Sequence, residues 1–235
     1  MATTLVLDAL TAEVTAALGP RLVSFLLYGS AARGEDPTGG PMDTLLICDA
    51  ADEPLYAALE PLVRRWAAAG HPPPLVVTAR EWRESADTFA VEYADIRASH
   101  RVLAGADPWV GIVVDRAHER RQLERELRGK VLRLRQGYLA GRGDGRALDE
   151  LVRDTAGGWL TMLRTVLRLA GRRVPSAAGD VVRACAELAG FPPEPVAALV
   201  AAARGADGPT LAPRDPRVAA YLAAVARTAE YVDSL

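Results

Sequence analysis

The residues best placed to do chemistry lie in one run, Leu26 to Cys48, which reads LLYGSAARGEDPTGGPMDTLLIC. Gly29-Ser30 follows an apolar stretch ending at Tyr28, Arg33 comes three residues on with Gly34 behind it, and a second apolar stretch closes at Cys48. A glycine at such a corner lets the backbone approach an anion closely, and the serine offers an N–H and an O–H as donors. Arg33 is placed to neutralise a triphosphate. The lysine and glycine spacing of a Walker loop are missing, so this is a phosphate-facing corner of another kind. A metal site beside it needs several carboxylates, and the second stretch offers one, Asp43.

Elsewhere chemistry-bearing residues are sparse. His71, His100 and His118 have no partners at metal spacing. His71, ahead of three prolines, reads as a surface-loop residue, and Asp95 with His100 reads as an exposed ion pair at a helix end. Cys48 and Cys185 both sit in apolar surroundings and read as small buried hydrophobes. A net charge of −2 gives no pull toward nucleic acid or anionic lipid. The arginine-rich stretch from Arg116 to Arg135 interleaves acids at i+3 and i+4 and carries few aromatics. It therefore reads as a self-paired solvated helix face, and nucleic acid is not expected as a partner. No leader-like segment or apolar run of about 18 residues is present, so no membrane association and a cytoplasmic location are expected.

These residues need a scaffold, and half of the 235 residues are hydrophobic, enough for a sizeable core. Leu7, Leu10, Val14, Ala17 and Leu18 recur at helical spacing before Gly19-Pro20. Leu22 to Tyr28 and Met42 to Cys48 read as buried strands, joined by a glycine-rich loop from Gly34 to Pro41. A helix from Glu53 to Ala69 and a third strand, Leu75 to Thr78, follow. Ala79 to Ser85 reads as a short helix, Phe89 to Ile96 as helix or strand, and Val102 to Pro108 as a strand end and turn. Beyond Asp115 only helical patterns occur, the first with Leu123, Leu127, Val131, Leu134 and Tyr138 on one stripe and Glu119 among the solvated residues. The expected organisation is a mixed α/β domain over 1–112 and an all-α helical bundle over 113–235.

Tyr28-Gly29-Ser30-Ala31-Ala32-Arg33-Gly34, a loop and an apolar strand together resemble the signature of the DNA polymerase β-like nucleotidyltransferases. That signature runs Gly-Ser, a few residues, Arg-Gly, a variable loop, then Asp-x-Asp leading a hydrophobic strand. Minimal and antibiotic nucleotidyltransferases belong to the group. Residues 71–108 resemble the end of such domains, and 126–138 the first helix of a bundle appended in one bacterial branch.

The resemblance implies a mixed sheet with helices on it and transfer of a nucleotide from a nucleoside triphosphate to a hydroxyl acceptor. Two Mg²⁺ ions, held by three carboxylates, would bind the triphosphate and stabilise the leaving pyrophosphate. It makes Gly29, Ser30, Arg33 and Gly34 the nucleotide-binding residues. The acidic positions depart from the pattern. One alignment puts Met42 and Thr44 at the two aspartate positions; shifting by one puts Pro41 and Asp43 there. The third position, near Leu75 to Thr78, falls on Pro74 and Val76, leaving Glu92 or Asp95 as the next source. Asp43 and Glu92 are then the candidate catalytic and metal-binding residues. The expectation is a nucleotidyltransferase-like protein with a degenerate metal site and weak or no catalysis. The alternatives are an active Mg-dependent enzyme acting on a small molecule or protein, and a non-catalytic, antitoxin-like module binding a protein or a second copy.

Overall fold

Both faces of the first two strands are covered, which is why they read as unbroken apolar runs and not as alternating ones. The computed structural model describes residues 2–34, 40–205 and 210–235; the predicted loop's centre, 35–39, lies outside them. Strand β1 (Leu22–Tyr28) pairs antiparallel with β2 (Asp43–Cys48), with Leu26 opposite Leu45 and Tyr28 opposite Asp43. Strand β3 (Leu75–Thr78) runs parallel to β2, and β4 (His100–Gly105) runs antiparallel to β1, giving the order β3-β2-β1-β4. The predicted strand end at Val102 is thus a full six-residue strand on the edge of the sheet.

One face carries helices α1 (Ala2–Leu18) and α3 (Glu53–Ala68) over Phe25, Leu46 and Cys48. Val14, Leu18, Leu55 and Leu59 meet them, and Leu7, Leu27, Met42 and Trp66 extend this layer. Ala17, expected on the inner stripe, is exposed. The other face is covered by α4 (Ala79–Glu84) and α5 (Ala90–Ala98), with α2 (Gly29–Arg33) forming the corner after β1. Here Leu26, Leu45 and Ile47 pack against Trp82, Tyr93, Ile96 and Trp109. The ambiguous stretch after Phe89 is therefore a helix, its apolar residues Val91, Tyr93 and Ile96 buried. Thr78 caps α4 with a reciprocal bond from Glu81, and Asp52 caps α3.

The chain divides into two compact units, Met1–Val114 and Asp115–Leu235. The second is all helical among the described residues: α6 (Arg116–Gly141), α7 (Gly145–Leu169), α8 (Ala178–Ala189), α9 (Pro193–Arg204) and α10 (Pro216–Asp233). Asp115, Asp144 and Asp215 accept backbone N–H bonds at three of the helix starts. Trp159 is fully buried at its centre, edge-on to Tyr221 at 5.2 Å. The arginine-rich helix α6 does pair with itself, as Arg120–Glu124 and Arg128–Glu124 show. Glu119 is not among its solvated residues: it is buried and meets Arg168 of α7 at 3.4 Å. Lys130, also buried, donates to the Thr155 carbonyl at 3.3 Å. No described helix is long and apolar enough to cross a membrane.

Gly105 holds the edge of the sheet. Its φ of +84° is one that L side chains rarely adopt, and a Cβ there would stand 2.3 Å from the Val23 carbonyl oxygen. Gly105→Ala is expected to lower the stability of the first unit by about 2–4 kcal/mol. A denaturant titration monitoring that unit checks it, and an unchanged midpoint would contradict the register of β4.

Candidate functional site

The corner is built by backbone first. Gly29 has a φ of +72°, and a Cβ on it would lie 2.9 Å from the Asp43 Oδ2 atom. Glycine is required there twice over, for its backbone angle and for the approach of the carboxylate. Gly34 closes α2 in the left-handed region, and its N–H donates to the Ala31 and Ser30 carbonyls. Ser30 is half-buried between these two glycines.

Asp43 reaches this corner because it opens β2 directly opposite Tyr28. Side chains alternate along a strand, so Asp43, Leu45 and Ile47 share one face while Met42, Thr44, Leu46 and Cys48 take the other. Leu45 and Ile47 belong to the layer under α4 and α5; Met42 and Leu46 belong to the layer under α1 and α3. This corrects the alignment that put Met42 and Thr44 at the acidic positions, since both are buried away from Asp43. The alternative alignment, with Pro41 and Asp43, is the one that faces the corner. The third position needs the same correction. Parallel pairing of Leu45 with Leu75 and Ile47 with Val77 brings Leu75 and Val77 to Asp43's face, whereas Val76 packs under α3. Both are apolar.

Arg33 meets a partner that the sequence does not pair with it. Its Nη1 lies 3.4 Å from Asp95 Oδ2, and the two side chains are only 12% and 11% exposed. Asp95 sits on the buried side of α5, so it does not form the exposed pair with His100. His100 instead accepts from the Trp109 indole N–H at Nε2, 3.0 Å away. The indole can only donate, so the ring proton is on Nδ1, which donates to the Ile96 carbonyl at 3.0 Å. His71 is likewise more than a loop residue: its Nδ1 accepts the Met42 N–H at 3.3 Å, and its ring lies 4.2 Å from that of Trp66. Burial lowers its pKa, in keeping with a neutral acceptor that pins the residue next to Asp43.

The other predicted carboxylate, Glu92, lies on the exposed side of α5 and lines a hollow beside β3. The structure thus brings Gly29, Ser30, Arg33, Gly34 and Asp43 to one corner and adds Tyr28 and Asp95. Burial raises the Asp43 pKa, and the positive Arg33 partly offsets it. Burial, with Asp43 and Asp95 nearby, pushes the Tyr28 phenol up to about 12, so it stays protonated. Among the described residues no group of three or more His, Cys, Asp or Glu side chains is arranged to hold a metal ion. A site for two Mg²⁺ ions needs several hard oxygen donors around each. Here one carboxylate is partly desolvated and the other is engaged by a guanidinium, so these donors do not fit such a pair.

No family model matches the chain, and no curated protein matches it in sequence. Among solved structures it is similar to a spectinomycin adenyltransferase from Enterococcus faecialis, crystallised with ATP and spectinomycin. The TM-score is 0.59 at 10% identity, over 97% of this chain and 98% of that one.

Asp43 supplies a test of the local electrostatics. A carboxyl whose folded pKa is raised costs stability when ionised: nothing below its unfolded value near about 3.9, and the full amount above the folded value. Asp43→Asn is expected to raise stability at pH 7 by up to about 1 kcal/mol, with the gain vanishing toward pH ~3. Urea titrations at the two pH values measure it; a loss at pH 7 would mean that attraction to Arg33 outweighs burial. The arrangement of sheet, corner and helices, followed along the chain by a helical unit, is a nucleotidyltransferase-like fold.

Proposed function

We propose that the Gly29–Gly34 corner binds the phosphates of a nucleoside triphosphate, and that the protein is a nucleotidyltransferase-like binder with weak or absent nucleotidyl transfer. The observation that carries this reading is the pairing of Arg33 with Asp95 beside a strand whose only carboxylate on that face is Asp43. A guanidinium paired with a carboxylate at the corner can exchange that partner for a phosphate, which carries more charge and accepts two parallel N–H bonds. Ser30 sits where its N–H and hydroxyl can add donors. Positive charge therefore comes from Arg33, and no step is assigned to metal ions that the described donors do not fit. ATP is the first ligand to try because the similar adenyltransferase was crystallised with it.

Calorimetric titration with ATP and GTP, with and without Mg²⁺, tests the reading. Binding is expected in both conditions, to weaken with salt, and to be lost in Arg33→Ala. Asp95→Asn is expected to tighten it by about tenfold, since one anion that competes for the guanidinium is then removed. No heat with either triphosphate would overturn the binding claim. Incorporation of labelled nucleotide that disappears in Asp43→Asn would make the protein an active transferase instead.

A further inference from the structure

The two longest helices of the second unit, α6 and α7, carry glycines that their packing does not call for. Gly157 and Gly158 stand together in the middle of α7, and both are exposed. Glycine is a poor helix former, worse than every residue but proline. A Cβ on Gly157 would meet nothing within 4 Å, and one on Gly158 would meet a single atom, the Nζ of Lys130 on α6, at 3.4 Å. That is an ordinary contact, so alanine would fit at both positions. What the glycines leave is open space on the α7 surface, directly before an ammonium group.

Lys130 is the only lysine of the chain, and it is 8% exposed. An ammonium has three donors, and among the described residues Lys130 uses one, toward the Thr155 carbonyl at 3.3 Å. Burial lowers its pKa, Arg133 adds to the effect, and Glu126 opposes it. Glu126 is itself engaged by the Gln122 amide at 2.5 Å. Arg133 turns back along α6, its Nη1 3.4 Å from where a Cβ on Gly129 would stand, and it forms no ion pair among the described residues. Two cations thus share one stretch of α6, and the buried one has donors to spare. A phosphate carries more charge and more acceptor oxygens than a carboxylate, enough for a guanidinium and an ammonium together.

We propose that the gap over Gly157 and Gly158 is a second anion site, which binds a phosphate group between the Lys130 ammonium and the Arg133 guanidinium. It does not rest on nucleotide binding at the Gly29–Gly34 corner.

Because Lys130 is the only lysine, the full chain labelled with lysine carrying carbon-13 at Cε gives one side-chain resonance that needs no assignment. It is titrated with inorganic phosphate and, separately, with methyl phosphate, the ionic strength held constant with chloride. A saturable shift is expected with both; tighter binding of methyl phosphate assigns the site to phosphate esters, and tighter binding of phosphate to the free ion. Gly158→Ala is expected to weaken binding about tenfold by filling the space before the ammonium, and Arg133→Gln about fivefold. Arg33→Ala is expected to leave it unchanged. Circular dichroism confirms that each variant is folded. The proposal is overturned if phosphate moves the resonance no more than chloride does, or if folded Gly158→Ala and Arg133→Gln bind like the parent. Loss of the shift in Arg33→Ala would overturn it too, by tracing the effect to the corner.

Discussion

The pairing of β1 with β2 in a single antiparallel register is the constraint on which the corner depends. With Tyr28 opposite Asp43, the last residue of one strand and the first of the next bring a phenol and a carboxylate to the same face. A slip of one residue would turn Asp43 into the layer beneath α1 and α3, and Met42 toward the corner. Packing forbids it. Leu26, Leu45 and Ile47 on one face, and Phe25, Leu46 and Cys48 on the other, are all essentially buried. Each such side chain is worth about 1.5–3 kcal/mol when removed from water, so the register is held far more firmly than any one polar contact at the corner.

Given that register, glycine at position 29 follows from the approach of the Asp43 carboxylate. The site's electrostatics follow as well. Asp43 is partly desolvated beneath the corner, Tyr28 stays protonated beside it, and the charge that remains to be balanced falls to Arg33 and Asp95. A guanidinium near these carboxylates balances their charge in place.

The strands β1 and β3, the helix α3 and the Gly-Ser corner were legible in the sequence, because unbroken apolar runs, a Glu-Pro helix start and a glycine directly after a strand act locally. The face of β2 was not legible. Both of its sides are apolar, so alternation gives no sign of which residues meet the corner, and Met42 and Thr44 fitted as well as Asp43. Asp95 was weighed as a carboxylate and as a partner of His100, but its pairing with Arg33 spans 62 residues, a distance over which no sequence pattern operates. Glu119 was hidden differently. It lies in a charged stretch whose i+4 ion pairs mark a solvated face, yet a buried contact to Arg168 of α7 draws it inward.

A nucleotidyltransferase-like fold in which Asp43 is the one carboxylate on β2 poses a sharp question about charge: whether a triphosphate here is met by arginine or by metal ions. A crystal soaked with ATP and Mn²⁺ answers it most directly, because manganese is visible by its anomalous scattering. The prediction is phosphate density at Ser30 and Arg33, with the guanidinium turned from Asp95 and no pair of manganese peaks beside Asp43. Two manganese ions bridging Asp43, a second carboxylate and the phosphates would contradict it.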